Sequence, residues 1–187
     1  MEMIEITSIS EKLKKLAYER AKKLPKLKGT FTANQAGAPV GYMGQIIFAE
    51  YVKGDDVDEF NFDVVKNGIR YEVKSKNCTS TPKGNYICSV ANANAKQKCD
   101  YYVFVRVLKD FSKAWILGQI SPEDFKNKAE FWKKGQLDPT DDRGYIVKTD
   151  SYNLEASKLD PLNYEIQNKT HDASPVLGNL FDLFPAT

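Results

Sequence analysis

A mixed α/β fold in one domain is predicted by three observations: a long apolar helix, a tight hairpin soon after it, and a later strand buried on both faces. Residues 40–52 (VGYMGQIIFAEYV) are apolar almost all the way round, as a helix enclosed by other elements must be. Residues 63–74 (DVVKNGIRYEVK) carry Asn67-Gly68 between two strand-like runs. That pair is the strongest short signal for a two-residue type I′ turn, because both central positions need positive φ. Residues 101–108 (YYVFVRVL) form a near-continuous apolar run of strand length, which suggests cover on both faces.

The remaining elements follow in order. Residues 10–24 read as a basic amphipathic helix opened by Ser10-Glu11, with Leu13, Leu16, Ala17 and Ala21 on one side. After the hairpin, residues 77–84 (NCTSTPKG) are a loop by composition. Residues 85–90 read as a third strand and residues 91–99 (ANANAKQKC) as a short, polar, alanine-rich helix. Residues 114–119 form a further strand. Ser121-Pro122-Glu123-Asp124 then starts a helix, with Ser121 as N-cap and Pro122 at the first helical position. The order is helix, three strands, helix, strand, with additions at both ends. A chain of 187 residues, 42% hydrophobic, supports one sizeable core and gives no reason for two domains.

The hairpin has a readable register. A two-residue turn pairs Lys66 with Ile69 and, by steps of one, sets Asp63 opposite Glu72. Directly opposed side chains on one face have Cβ atoms roughly 5 Å apart. Alternation along the strand puts Arg70, Glu72, Lys74 and Lys76 on one face and Ile69, Tyr71 and Val73 on the other. Two carboxylates and a lysine therefore converge. Opposed like charges destabilise unless something offsets them, and a divalent cation suits hard oxygen ligands. A hairpin whose polar face is merely solvated is the plainer alternative.

An Asp near the end of one strand, followed after a short hairpin by Glu-x-Lys, resembles the PD-(D/E)xK nuclease superfamily. Its fold is the restriction-endonuclease-like core, a mixed sheet of order α-β-β-β-α-β flanked by helices. The resemblance covers about residues 40 to 120, with the basic helix at about 10–24 and a C-terminal extension at about 168–187 outside it. Phe62 stands where the family motif places Pro. The resemblance implies that Asp63, Glu72 and the Val73 backbone carbonyl ligate Mg²⁺, with Mn²⁺ able to substitute. It implies that Lys74 positions or activates the attacking water, that the substrate is DNA, and that the activity is endonucleolytic. The family often places an acid after a glycine on the first core helix. Here Gln45 follows Gly44 and the next acid is Glu50, about 140° away round the helix, so one of them at most faces the site. Gln97 on the second helix is a further site neighbour, and Lys76, Lys83 and Lys98 are candidate DNA contacts. A module that kept the fold and lost catalysis is the competing reading, favoured by Gln45 in place of an acid. Double-strand cutting by one small site implies a homodimer or sequential nicking.

Composition narrows the alternatives. Net charge is only +2, but residues 1–30 hold eight Lys and Arg against four acids, so phosphate contact by the first helix is open beside simple docking on the core. Cys78, Cys88 and Cys99 show no CxxC spacing, and with His171 as the one histidine a zinc site is not expected. His171 sits in a polar segment, which argues against a serine or cysteine nucleophile with a histidine base. Three free thiols point to a reducing cytoplasm; a bacterial or phage-infected host cell is suggested only by a motif resemblance at the C-terminus. The charged start MEMIEITSISEKLKK resembles neither a signal peptide nor a membrane span.

The C-terminus ends in apolar residues. Leu180, Phe181, Leu183 and Phe184 resemble the Leu/Phe motifs with which replication and repair proteins bind sliding clamps, although Asn179 stands where the bacterial motif prefers Gln. The preferred reading of the same residues is a terminal helix that caps the core, each fully buried side chain then contributing roughly 1.5–3 kcal/mol. Truncation after Pro175 separates the two. A sharp fall in melting temperature is expected for the cap; unchanged stability with loss of clamp binding would identify a docking peptide.

Overall fold

The computed structural model describes residues 2–24, 37–141 and 143–162. A six-stranded mixed sheet runs in the order β1-β7-β6-β4-β3-β2, formed by Ile4–Ile6 (β1), Asp55–Asp56 (β2), Val64–Lys66 (β3), Ile69–Cys78 (β4), Tyr101–Leu108 (β6) and Ala114–Ile120 (β7). Its central pair, β4 and β6, is parallel; the other neighbours are antiparallel. A second, three-stranded antiparallel sheet joins Ile87–Ala91 (β5), Glu130–Trp132 (β8) and Ser151–Glu155 (β9) in the order β5-β9-β8.

Alternation along the central strands divides the core in two. Tyr71, Val73, Val103, Val105, Val107, Ala114 and Ile116 face the helices Glu11–Lys23 (α1) and Ala38–Val52 (α2). Tyr102, Phe104, Trp115 and Leu117 face the small sheet and the short helix Pro122–Lys128 (α3), meeting Phe125 and Leu154. The near-unbroken apolar run of β6 follows from this: both its faces are covered.

The all-round apolar character of α2 has the same cause, since α1 packs on one side of it and the sheet on the other. Pro39 lies in its first turn, and Lys53 closes it in the left-handed region at φ 50°, donating to the Ala49 and Glu50 carbonyls. The approach to the sheet is close enough that only glycine fits at position 44, where a Cβ would stand 2.8 Å from the Ser75 Cβ. The helix α1 begins at the expected N-cap, with Ser10 Oγ accepting from Leu13 N at 3.3 Å, and buries Leu13, Ala17 and Ala21. Ser121 likewise caps α3, accepting from Asp124 N at 3.1 Å.

The hairpin forms with Asn67 at φ 50° and Gly68 at φ 79°, and its register is Lys66↔Ile69, Val65↔Arg70, Val64↔Tyr71. Two expectations change. Residues 91–99 are not a helix: only Asn92–Asn94 make a 3-10 turn, and the chain then runs irregularly into β6. A short polar segment with few apolar residues has no face to bury and nothing to lengthen it. The third strand exists as β5 but joins the small sheet, not the one holding the hairpin. The strands β1, β2, β8 and β9 had no clear sequence signal, being short or dominated by polar residues. The C-terminal extension, with Leu180, Phe181, Leu183, Phe184 and His171, lies outside the described residues.

Gly44→Ala is expected to lower unfolding free energy by about 1–3 kcal/mol through overpacking between α2 and β4. Urea denaturation measures this, and combining the change with Ser75→Gly should recover part of the loss.

Candidate active site

The strand β3 is three residues long while β4 is ten, so β4 is paired on that side only as far as Tyr71. Asp63 stands at the break. Its N–H donates to the Tyr71 carbonyl at 2.8 Å, and its Oδ2 accepts the Val73 N–H at 2.7 Å. The carboxylate thus takes the place of a further strand residue and stops the ladder. Within a strand, a residue's N–H and C=O point the same way, so the Val73 carbonyl also faces this open edge. The Asp63 carbonyl accepts from Val57 N and Asp58 N at 2.9 and 3.2 Å, which folds residues 57–62 over the same spot.

Glu72, 5% exposed, projects from the β4 face away from α2. Its Oε1 accepts from Lys74 Nζ at 2.6 Å and from Gln97 Nε2 at 2.8 Å. Lys74 Nζ also donates to Gln97 Oε1 at 2.9 Å, and Gln97 Nε2 reaches the Phe60 carbonyl at 2.8 Å. Gln97 thereby ties the carboxylate, the ammonium and the overhanging loop together. It does so from irregular chain after the 3-10 turn, since its N–H bonds the Asn94 carbonyl. Asp63, Glu72 and Lys74 line one cleft of about 670 Å³, together with Tyr42, Gln45, Asp58, Lys76, Ser89 and Arg106. Burial first and the Glu72 charge second raise the Asp63 carboxyl well above the usual carboxylate range, against the pull of the Val73 N–H and Lys74.

The donor set fits a hard divalent cation. Glu72 Oε2 is buried and has no hydrogen-bond partner among the described residues, an expensive state for a carboxylate oxygen. Among the described residues no three His, Cys, Asp or Glu side chains converge on one ion site. Asp63 and Glu72 would therefore hold a cation with the Val73 carbonyl, and water or phosphate oxygens would complete its shell, as Mg²⁺ commonly requires.

The other predicted neighbours separate. Gln45 faces the cleft and donates to Asp56 Oδ1 at 2.7 Å; Asp56 Oδ2 in turn accepts Arg20 Nη1 of α1 at 2.6 Å. This tie makes Arg20 a structural link of the basic helix to the core. Glu50 does not join the site: it lies on another side of α2, with one buried, unpartnered oxygen and burial raising its carboxyl. Lys76 lines the cleft, but Lys83 and Lys98 are exposed and do not. Both sit on loops whose polar side chains nothing draws inward. Arg70 turns outward to a bidentate pair with Asp100, at 3.0 and 2.8 Å.

Sequence reasoning missed Tyr42, Asp58, Ser89 and Arg106. The Tyr42 hydroxyl is pushed up to about 12 by burial and by Asp58, which it meets in a hydrogen bond. Arg106 did leave a signal, as the single charge in an otherwise apolar strand. Cys78, Cys88 and Cys99 are all buried and unpaired. Among the described residues no helix is long and apolar enough to cross a membrane. No family model matches the chain, and no curated protein matches it either.

Enclosure first and Arg106 second lower Lys76 to about 8. At neutral pH its charge is thus held at a cost. Above about pH 8 the native state sheds the proton while the unfolded chain keeps it to about 10.4, so stability should rise across that window. Lys76→Met is expected to be more stable than wild type near neutrality by on the order of 1–2 kcal/mol, the gain shrinking at higher pH. Urea midpoints at neutral and alkaline pH test the sign.

Proposed function

We propose that this protein is a Mg²⁺-dependent DNA endonuclease of the PD-(D/E)xK type, built on a restriction-endonuclease-like core. The observation that carries the reading is the meeting of Asp63, Glu72 and Lys74 in one cleft, with Glu72 Oε2 left unsatisfied. The parallel pairing of β4 with β6 beside an antiparallel hairpin, with α2 behind, supports the fold assignment.

Each protein group has a part in in-line attack of water on a phosphodiester. The Val73 N–H fixes the Asp63 carboxylate, and Gln97 fixes Glu72, so the two acids are oriented before any substrate arrives. The Lys74 ammonium, 2.6 Å from Glu72, is placed to orient the attacking water and to stabilise negative charge developing on the phosphate. A divalent cation, held by Asp63, Glu72 and the Val73 carbonyl, would supply further positive charge and make water more acidic. Asp58, Glu59 and Phe60 of the loop border the cleft on that side.

The second reading is a binding module of the same fold without catalysis. Its support is that one oxygen of Glu72 is already engaged by both Lys74 and Gln97, and that Gln45 stands where an additional acid would sit. A replication or repair accessory protein tethered by its C-terminal tail to a sliding clamp rests on residues outside the described ones. Cleavage of both strands would call for a homodimer or sequential nicks.

A plasmid-nicking assay with and without Mg²⁺ or Mn²⁺ decides between the first two. Wild type should nick only with the metal. Asp63→Ala and Glu72→Ala should abolish nicking with little loss of DNA binding, whereas Lys74→Ala should lower it and Lys74→Arg should rescue only in part, since the planar guanidinium cannot occupy the ammonium's place. Equal nicking by wild type and Glu72→Ala would place the activity elsewhere.

A further inference from the structure

The cleft continues beyond Lys74. Two residues on, Lys76 rises from the same face of β4, and Arg106 stands beside it on β6 as its partner in the parallel register. Both line the cleft, with Ser89 of β5 opposite, and Lys76 Nζ donates to Ser89 Oγ at 2.7 Å. Arg106 is 7% exposed. One nitrogen of its guanidinium donates to the Ile87 carbonyl, and the group lies over the Tyr86 ring at 5.5 Å. None of the described carboxylates forms an ion pair with it. The rest of its five donors remain for a ligand.

Two cations side by side in an enclosed site repel each other and lose hydration, and Asp138, the carboxylate whose charge acts on Lys76, offsets this only in part. An anion reverses the balance. Arg and Lys together suit a phosphate group, the guanidinium as a fork and the ammonium as a point charge. The spacing is informative too. Residues two apart along a strand are roughly 6.6 Å apart, so Lys76 follows Lys74 at about the step between successive phosphates of one nucleic-acid strand.

Resting on the nuclease reading above, we propose that Lys76, Arg106 and Ser89 form a second phosphate subsite, which takes the backbone phosphate next to the one held at Asp63, Glu72 and Lys74. The strand then runs along the face of β4 that carries Lys74 and Lys76. Tyr86, its ring against Arg106, keeps the guanidinium in place.

The test uses the full chain in chelator, so that binding is read without cleavage. Anisotropy titration with a labelled single-stranded oligodeoxynucleotide compares wild type with Lys76→Met, and a thermal-shift series with inorganic phosphate runs beside it. Lys76→Gln, which keeps a polar partner for Ser89, serves if the Met variant fails to fold. Loss of the charge should weaken oligonucleotide binding by about tenfold and reduce the salt slope by about 0.7, one phosphate contact on a single strand. Lys76→Arg should retain most of the affinity. Loss confined to the phosphate shift would assign the subsite to free phosphate. If wild type binds no oligonucleotide, the nuclease reading fails, while a phosphate shift abolished by Lys76→Met still sustains the subsite. Variants equal to wild type in both series would overturn it.

Discussion

The hydrogen bond from the Val73 N–H to the Asp63 carboxylate is the point on which the site turns. It ends the β3–β4 ladder early, because a side chain occupies the place where the next strand residue would pair. An unpaired strand edge is ordinarily a liability. Here the edge lies between α2 and β5, so the gap becomes a cleft instead of a sticky surface. The same bond orients the carboxylate that the site needs and leaves the Val73 carbonyl facing it. Local pairing, burial and chemistry therefore rest on one contact.

The electrostatics of the cleft divide along β4. At the β3 end, Asp63 and Glu72 repel each other and Asp58 adds to the negative field around Asp63. At the far end, Lys76 and Arg106 repel each other. Lys74 lies between them, paired with Glu72. Each end places like charges together, and each would be offset by a ligand of opposite sign. A cation at one end and a phosphate at the other would relieve both. Strain of this kind, concentrated in one concave site, fits function better than stability.

Three tertiary features border the cleft. Gly44 lets α2 lie against β4 at Ser75, which brings Gln45, in the middle of the helix, to the rim. The Arg20–Asp56–Gln45 chain ties α1, β2 and α2 together at the same rim. On the other side, β5 belongs to the small sheet and not to the large one, so it can stand over the face of β4 and supply Ser89.

Much of this was legible in the sequence because it rests on local rules. Asn67-Gly68 dictates the turn, the turn dictates register, and alternation then places Glu72, Lys74 and Lys76 on one face; no distant residue enters that argument. Ser10 and Ser121 announce their helices, and the apolar surfaces of residues 40–52 and 101–108 announce burial. The sequence could not decide which sheet receives a strand, since period-two patterning is the same for either partner; β5 shows this. The polar make-up of residues 91–99 gives a helix no face to bury, but the sequence could not show that Gln97 there is held by Glu72 and Phe60. Nor could it choose between Gln45 and Glu50, a matter of how α2 is rotated on the sheet, or pair Lys76 with Arg106 across 30 residues. Those outcomes depend on contacts between elements, and only the tertiary structure brings the elements together.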